Sequence, residues 1–321
     1  MKMTTSGMAG LGNLERVLGR AEASRKGGPL CVVTAGIHGN EPAGVHALRR
    51  VFHDIAARNV PLQGRFVAFS GNRSGLERGV RFIDEDMNRV WSAARIAALR
   101  GREPRLDNSE EREQRELLAL IDAELAQGQE RVTHLDLHST SGVGPPFTVI
   151  AGPDSSRLAA NNLGVPLLLG LEAIIAGTLI EYLGSLGHTT VLLEGGQNEA
   201  RSTIDHHESA VWLTLVESGV VRSSDVPESS AHRARLLNSA NGLPHELEIA
   251  YCHHLQPDEE FKMLPGYASF DAVIEGQLLA RSGPNFEREV RAPWTGTLLM
   301  PRYQGQGLDG FFLGRRIARA S

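Results

Sequence analysis

Apolar residues in this chain fall into short runs set between longer stretches of helical spacing. Residues 29–35 are apolar, β-branched and bounded by glycines, which predicts a buried strand. From Glu41 to Ala57 the residues Val45, Leu48, Val51, Phe52 and Ile55 recur with helical period. Pro42 stands just inside that helix, where a missing N–H costs little. Residues 64–70 alternate as a strand does, and 71–90 are polar, charged and aperiodic, predicting a loop. Asp107-Asn108-Ser109 offers an N-cap for a helix running to about Ala126. Its first turn carries Glu110, Glu111 and Glu113, which suit the helix dipole and read as a solvated face. Further strands are predicted at 131–137, 147–151 and 188–193, and further helices at 178–186 and 205–218. Residues 11–23 read as a short helix or irregular lead-in, and the state of the apolar run 167–171 is undecided.

Strands alternating with helices imply an α/β layered domain with a largely parallel sheet. Residues 222–230 are polar and carry Pro227, so they read as a linker. Short β-like pieces follow at 246–251, 270–280, 288–291, 296–300 and 310–313. The expected division is a catalytic domain over 1–225 and a small β domain over 235–321.

Composition narrows the function classes. The net charge is −5 with no basic block, which argues against nucleic acid as a partner. The two cysteines, Cys31 and Cys252, do not make a disulfide scaffold, so a reducing compartment, the cytoplasm, is expected. Residues 1–12 lack the apolar core of a secretory signal. No apolar run approaches the ~18–20 residues of a membrane span. The longest candidate, 165–175, contains Glu172.

Candidate chemistry gathers at strand ends, where α/β sheets form their sites. Thr34-Ala35-Gly36-Ile37-His38-Gly39-Asn40-Glu41 follows the first strand, and its glycines allow a close turn. His138 ends the strand at 131–137. His38, Glu41 and His138 would form a His₂Glu set, the ligand arrangement of an open catalytic zinc site. Glu194, after residues 188–193, could serve as a general base or as an ordinary capping or salt-bridging residue. In Arg81-Phe82-Ile83-Asp84-Glu85-Asp86-Met87-Asn88-Arg89, two arginines and an asparagine suit a substrate carboxylate. The three acids there could equally neutralise the arginines. His46, His53, His134, His188, His232 and His245 read as surface or internally satisfied residues. Of the pairs His206-His207 and His253-His254, one member at most could face a given site.

Four segments taken together resemble the succinylglutamate desuccinylase/aspartoacylase family, of zinc-carboxypeptidase-like fold. They are GIHGNE at 36–41, RFIDEDMNR at 81–89, DLH at 136–138 and LEGG at 193–196. The resemblance implies a three-layer α/β/α domain with a mixed, largely parallel sheet, plus the small C-terminal β domain. It implies one zinc per chain on His38, Glu41 and His138, with Glu194 as general base. Arg81 would stabilise the oxyanion, Asn88 and Arg89 would clamp the substrate carboxylate, and Asp86 would orient His38. The implied reaction is hydrolysis of the amide bond of a small N-acylated amino acid or related amine. A metallocarboxypeptidase acting on short peptides, or a scaffold that keeps only the metal, would share part of this pattern. A homo-oligomer is compatible with it.

One departure matters. The resemblance implies a further arginine before the base strand in aspartoacylase-like members, for the acyl carboxylate of a diacid, and here residues 177–187 contain none. Arg201 could replace it, and Tyr182 and Tyr251 could touch substrate. Specificity would lie in 139–146 and in the β domain.

Overall fold

The computed structural model describes residues 14–23 and 27–317. Its strands are β1 (Val17–Glu22), β2 (Leu30–Ala35), β3 (Arg65–Ser70), β4 (Val132–Thr140), β5 (Phe147–Ala151), β6 (Leu167–Leu169) and β7 (Thr189–Gln197), then β8 (Glu246–His254), β9 (Phe261–Met263), β10 (Ala272–Val273), β11 (Leu278–Ser282), β12 (Arg288–Arg291), β13 (Gly296–Leu299) and β14 (Asp309–Arg316). The helices are α1 (Ala43–Arg58), α2 (Arg73–Arg78), α3 (Ala93–Gly101), α4 (Ser109–Leu125), α5 (Asp154–Leu163), α6 (Leu179–Ser185), α7 (Arg201–Glu217) and α8 (Ser229–Ser239).

Strand β2 shows why the sheet is sandwiched. All six of its residues are buried. Cys31, Val33 and Ala35 pack with α1, α5, α7 and α8 on one face. Leu30 and Val32 pack with α3, α4 and α6 on the other. A strand covered on both faces needs a continuous apolar run rather than alternation. Each fully buried Val or Leu contributes about 1.5–3 kcal/mol.

The main sheet has 11 strands in the order β1-β3-β2-β4-β7-β5-β6-β8-β14-β13-β10, and β12-β11-β9 form a second, small sheet. Strands β3, β2, β4 and β7 are parallel, so their carboxyl ends share one edge. The C-terminal strands join the main sheet through parallel pairing of β6 with β8.

Several segments differ from their sequence expectation. The lead-in is β1, an edge strand antiparallel to β3, and residues 11–13 of it lie outside the described part, as do 1–12. The expected loop 71–90 contains α2, capped by the Asn72 side chain, and a 3-10 turn at Met87–Arg89. The expected linker holds a 3-10 turn at Ser223–Asp225 and the start of α8. The acidic first turn of α4 is not a solvated face, because Glu110 and Glu113 are both buried. Glu110 accepts hydrogen bonds from the Asn72 side chain and from the backbone N–H groups of Ile83, Asp84 and Glu85. It thereby holds the segment that carries Arg81 and Asp86. Among the described residues no helix is long and apolar enough to cross a membrane.

Candidate metal centre and its pocket

The turn after β2 exists because two glycines permit it. Gly36 has φ +70°, a conformation side chains rarely adopt. A Cβ on Gly39 would lie 2.0 Å from the Gly75 backbone. This close approach brings His38 and Glu41 beneath the carboxyl edge of the sheet. His138 comes from β4, and Glu194 is its register partner on β7.

His38 Nδ1 lies 2.8 Å from Glu41 Oε1, and His138 Nδ1 lies 3.1 Å from Glu41 Oε2. One donor atom from each of the three residues falls within 4.8 Å of the others. Both imidazoles present Nδ1 to Glu41 and rest Nε2 on another carboxylate: Asp86 for His38 at 3.2 Å, Asp136 for His138 at 3.0 Å. Such partners fix ring orientation at metal sites. Asp136 is itself held by the Thr34 hydroxyl, which donates at 2.5 Å. The sequence reading missed Asp136, although in DLH it lies two residues from His138 on one face of a strand.

Arg81 is nearly buried, with Nη2 2.9 Å from Asp86 and Nη1 3.5 Å from Glu41. Burial works against ionised Glu41 and Asp86. The imidazoles outweigh it at Glu41, and Arg81 and His38 outweigh it at Asp86, so both carboxyls sit well below their usual range. Glu194 is the opposite case. Burial, and then the Glu41 charge, push it up to about 8. Its Oε2 is buried without a hydrogen-bond partner. Glu41, Asp86 and Glu194 thus gather near Arg81, and Asp136 backs His138 from behind, an arrangement that fits a divalent cation. The two nitrogens and one oxygen are donors zinc accepts.

His207 lies behind this cluster and is not part of it. Its Nε2 donates to the His138 carbonyl at 2.8 Å, and its Nδ1 is buried without a partner. Burial pushes it down from 6.5 to about 4. The fold therefore favours neutral His207; its stability is complete above pH 6.5 and is lost as pH falls toward 4. The stability advantage of wild type over His207→Gln is expected to shrink by about 2 kcal/mol between pH 7 and pH 5. Urea unfolding of the metal-free proteins at both pH values measures this, and a constant difference would refute it. His206 bonds the Gly195 carbonyl and the Ser239 hydroxyl, so neither member of this pair reaches the donor set.

The pocket beside the cluster is lined by Arg81, Asn88, Arg89, Arg302, Ser139, Thr140, Ser141 and Glu194, with an apolar wall of Val149, Ile150, Ile175, Ile180, Leu192 and Phe312. Asn88 accepts from Leu179 N–H at 3.1 Å, which leaves its amide donors for a ligand. Arg89 pairs with Asp309 at 2.8 Å. Residues 177–187 contribute Thr178, Ile180 and Glu181 to the lining and no cation. Arg201 is exposed and outside the lining. Tyr182 packs on Trp91, and Tyr251 on Phe311. The loop before β14 closes one side: Gln304 accepts from Asn40 at 2.7 Å, and Gln306 accepts from Arg81 N–H at 3.0 Å. No sequence signal pointed to Gln304, Gln306 or Asp309.

A sequence model of the succinylglutamate desuccinylase/aspartoacylase catalytic domain matches residues 27–218. A succinylglutamate desuccinylase from Pseudomonas fluorescens is 32% identical over 158 residues, covering 49% of this chain and 45% of that one. One from Burkholderia lata is 26% identical over 278 residues, covering 82% and 72%. The chain thus spans under half the length of the first of these relatives. Among solved structures, a succinylglutamate desuccinylase/aspartoacylase from Rhodobacter sphaeroides superimposes with TM-score 0.65 at 16% identity, covering 95% of each chain. An ectoine utilization protein from Ruegeria pomeroyi, with product bound, gives 0.61 at 18% identity, covering 90% and 86%. These structural likenesses carry the fold, and the domain match over residues 27–218 carries the assignment: the chain belongs to the succinylglutamate desuccinylase/aspartoacylase family.

Proposed function

We propose that this protein is a zinc-dependent deacylase that hydrolyses the amide bond of a small N-acylated amino acid. The observation that carries this reading is the convergence of three metal donors, within 4.8 Å, beside Glu194, whose Oε2 is buried without a partner. His38, Glu41 and His138 would hold the ion, one per chain. A divalent ion there supplies Lewis acidity, polarising a carbonyl and easing ionisation of water.

The remaining chemistry belongs to the chain. Glu194 accepts a proton from the water that attacks the acyl carbon, then delivers it to the departing amine nitrogen. With the Glu41 charge offset by a cation, one cause of its raised pKa is removed. Arg81 donates to the oxygen on which negative charge develops. Asn88 and Arg89 bind the substrate's free carboxylate, the guanidinium in bidentate fashion. Arg89 then exchanges or shares its Asp309 partner. The apolar wall and the lack of a cation in 177–187 favour a small uncharged acyl group over a dicarboxylic one, because Arg302, the remaining arginine of the lining, is already held by the Gly305 and Gly307 carbonyls and stacks on the Phe261 ring. In this reading residues 1–225 supply the chemistry, and 235–321 narrow access to it. Free Cys31 and Cys252 suit the cytoplasm.

The test is hydrolysis of N-acetyl and N-succinyl amino acids beside dipeptides by zinc-loaded protein. Acetyl substrates are expected to be cleaved with the highest kcat/KM. Cleavage of dipeptides alone would replace this reading with a carboxypeptidase, and cleavage of none would leave a scaffold.

A further inference from the structure

A second group of metal-type donors lies outside the cluster described above, where β8 meets β14. Cys252 and His254 are two residues apart on β8, so both side chains leave the same face. Asp309 is the register partner of His254 on β14. Cys252 Sγ lies 3.5 Å from His254 Nδ1 and 3.6 Å from Asp309 Oδ1, and these two atoms are 3.2 Å apart. Zinc bond lengths to sulfur, nitrogen and oxygen at tetrahedral angles require about 3.5, 3.6 and 3.4 Å for the same three separations. The three donors therefore already stand close to three corners of a tetrahedron. The His254 side chain is 55% exposed, which leaves the fourth corner open to solvent.

We propose that Cys252, His254 and Asp309 form a second metal site, for a borderline-soft divalent ion of the zinc class. A thiolate and an imidazole select such ions over magnesium or calcium. Cys252 would bind as thiolate, its proton leaving to solvent. Asp309 divides its oxygens: Oδ1 faces the cysteine and histidine, while Oδ2 holds Arg89 at 2.8 Å. A cation on Oδ1 draws charge from the carboxylate and weakens its hold on Arg89. Occupancy would therefore release the arginine toward substrate. That link rests on the reading of Arg89 as a carboxylate clamp; the metal site does not.

Cobalt(II) titration of metal-free protein tests the site without any assay of turnover. Wild type is expected to take up about two equivalents and to show a thiolate-to-cobalt charge-transfer band in the near ultraviolet. Cys252→Ser should abolish the band and keep one equivalent. His254→Ala, a change at an exposed position, should weaken binding at the second equivalent at least tenfold. His138→Ala should lose the other equivalent and keep the band, which separates failure of this site from failure of the first. A wild type that binds one equivalent without a charge-transfer band would overturn the proposal. So would a Cys252→Ser protein that keeps the band.

Discussion

Glu194→Gln is expected to lower kcat by about 10²–10⁴-fold while zinc content stays at the wild-type level. Glutamine matches glutamate in size and fills the same buried space on β7, but its amide cannot take up the proton that the attacking water must lose. The neighbouring carboxylates cannot replace it. Glu41 is engaged by both imidazoles, Asp86 by Arg81 and His38, and Asp136 by His138 and Thr34. Glu194 alone among them has a buried oxygen without a partner. Steady-state kinetics on an N-acetyl amino acid, with metal analysis of the same samples, make the measurement. Loss of kcat at unchanged KM would place the effect in the chemical step. A variant with full zinc and wild-type kcat would remove Glu194 from the mechanism.

The parts of this molecule that were legible in its sequence share a physical reason. Strand β2 is buried on both faces, so its apolar run could be read directly. His38 and Glu41 are three residues apart on one turn, and that local spacing was visible before any fold was known. His138 and Glu194 each follow a run that reads as a strand, and parallel pairing of β4 with β7 places them side by side near the carboxyl edge. Strand β1 was not legible, because VLGRAE at the sheet margin is mostly half-buried or exposed. Helix α2 has six residues, only Gly75 and Leu76 buried, and depends on the Asn72 cap. The buried role of Glu110 was hidden because a first-turn glutamate looks the same whether it faces water or backbone N–H groups. Asp309 meets Arg89 across 220 positions, and Gln304 meets Asn40 across 264. No local pattern encodes such contacts; they exist only because β8 pairs with β6 and extends the main sheet.

His138→Ala is expected to abolish zinc binding and to lower turnover at least about 10³-fold, a barrier increase of roughly 4 kcal/mol. The side chain is 1% exposed and does two things at once. Its Nδ1 faces Glu41 as one of three donors, and its Nε2 answers the buried carboxylate of Asp136. Alanine removes both. It also leaves Asp136 without its imidazole partner, and breaking a buried charge pair costs about 3–5 kcal/mol. The metal-free variant should therefore unfold at lower urea than metal-free wild type. Asp136→Asn separates the two roles. It keeps all three donors but loosens the ring of His138, so zinc affinity should fall about 10–100-fold and excess zinc should restore turnover. Excess zinc should not rescue His138→Ala. If it did, the ion would not depend on this imidazole, and the donor set would have to be built from His38 and Glu41 with another residue of the pocket.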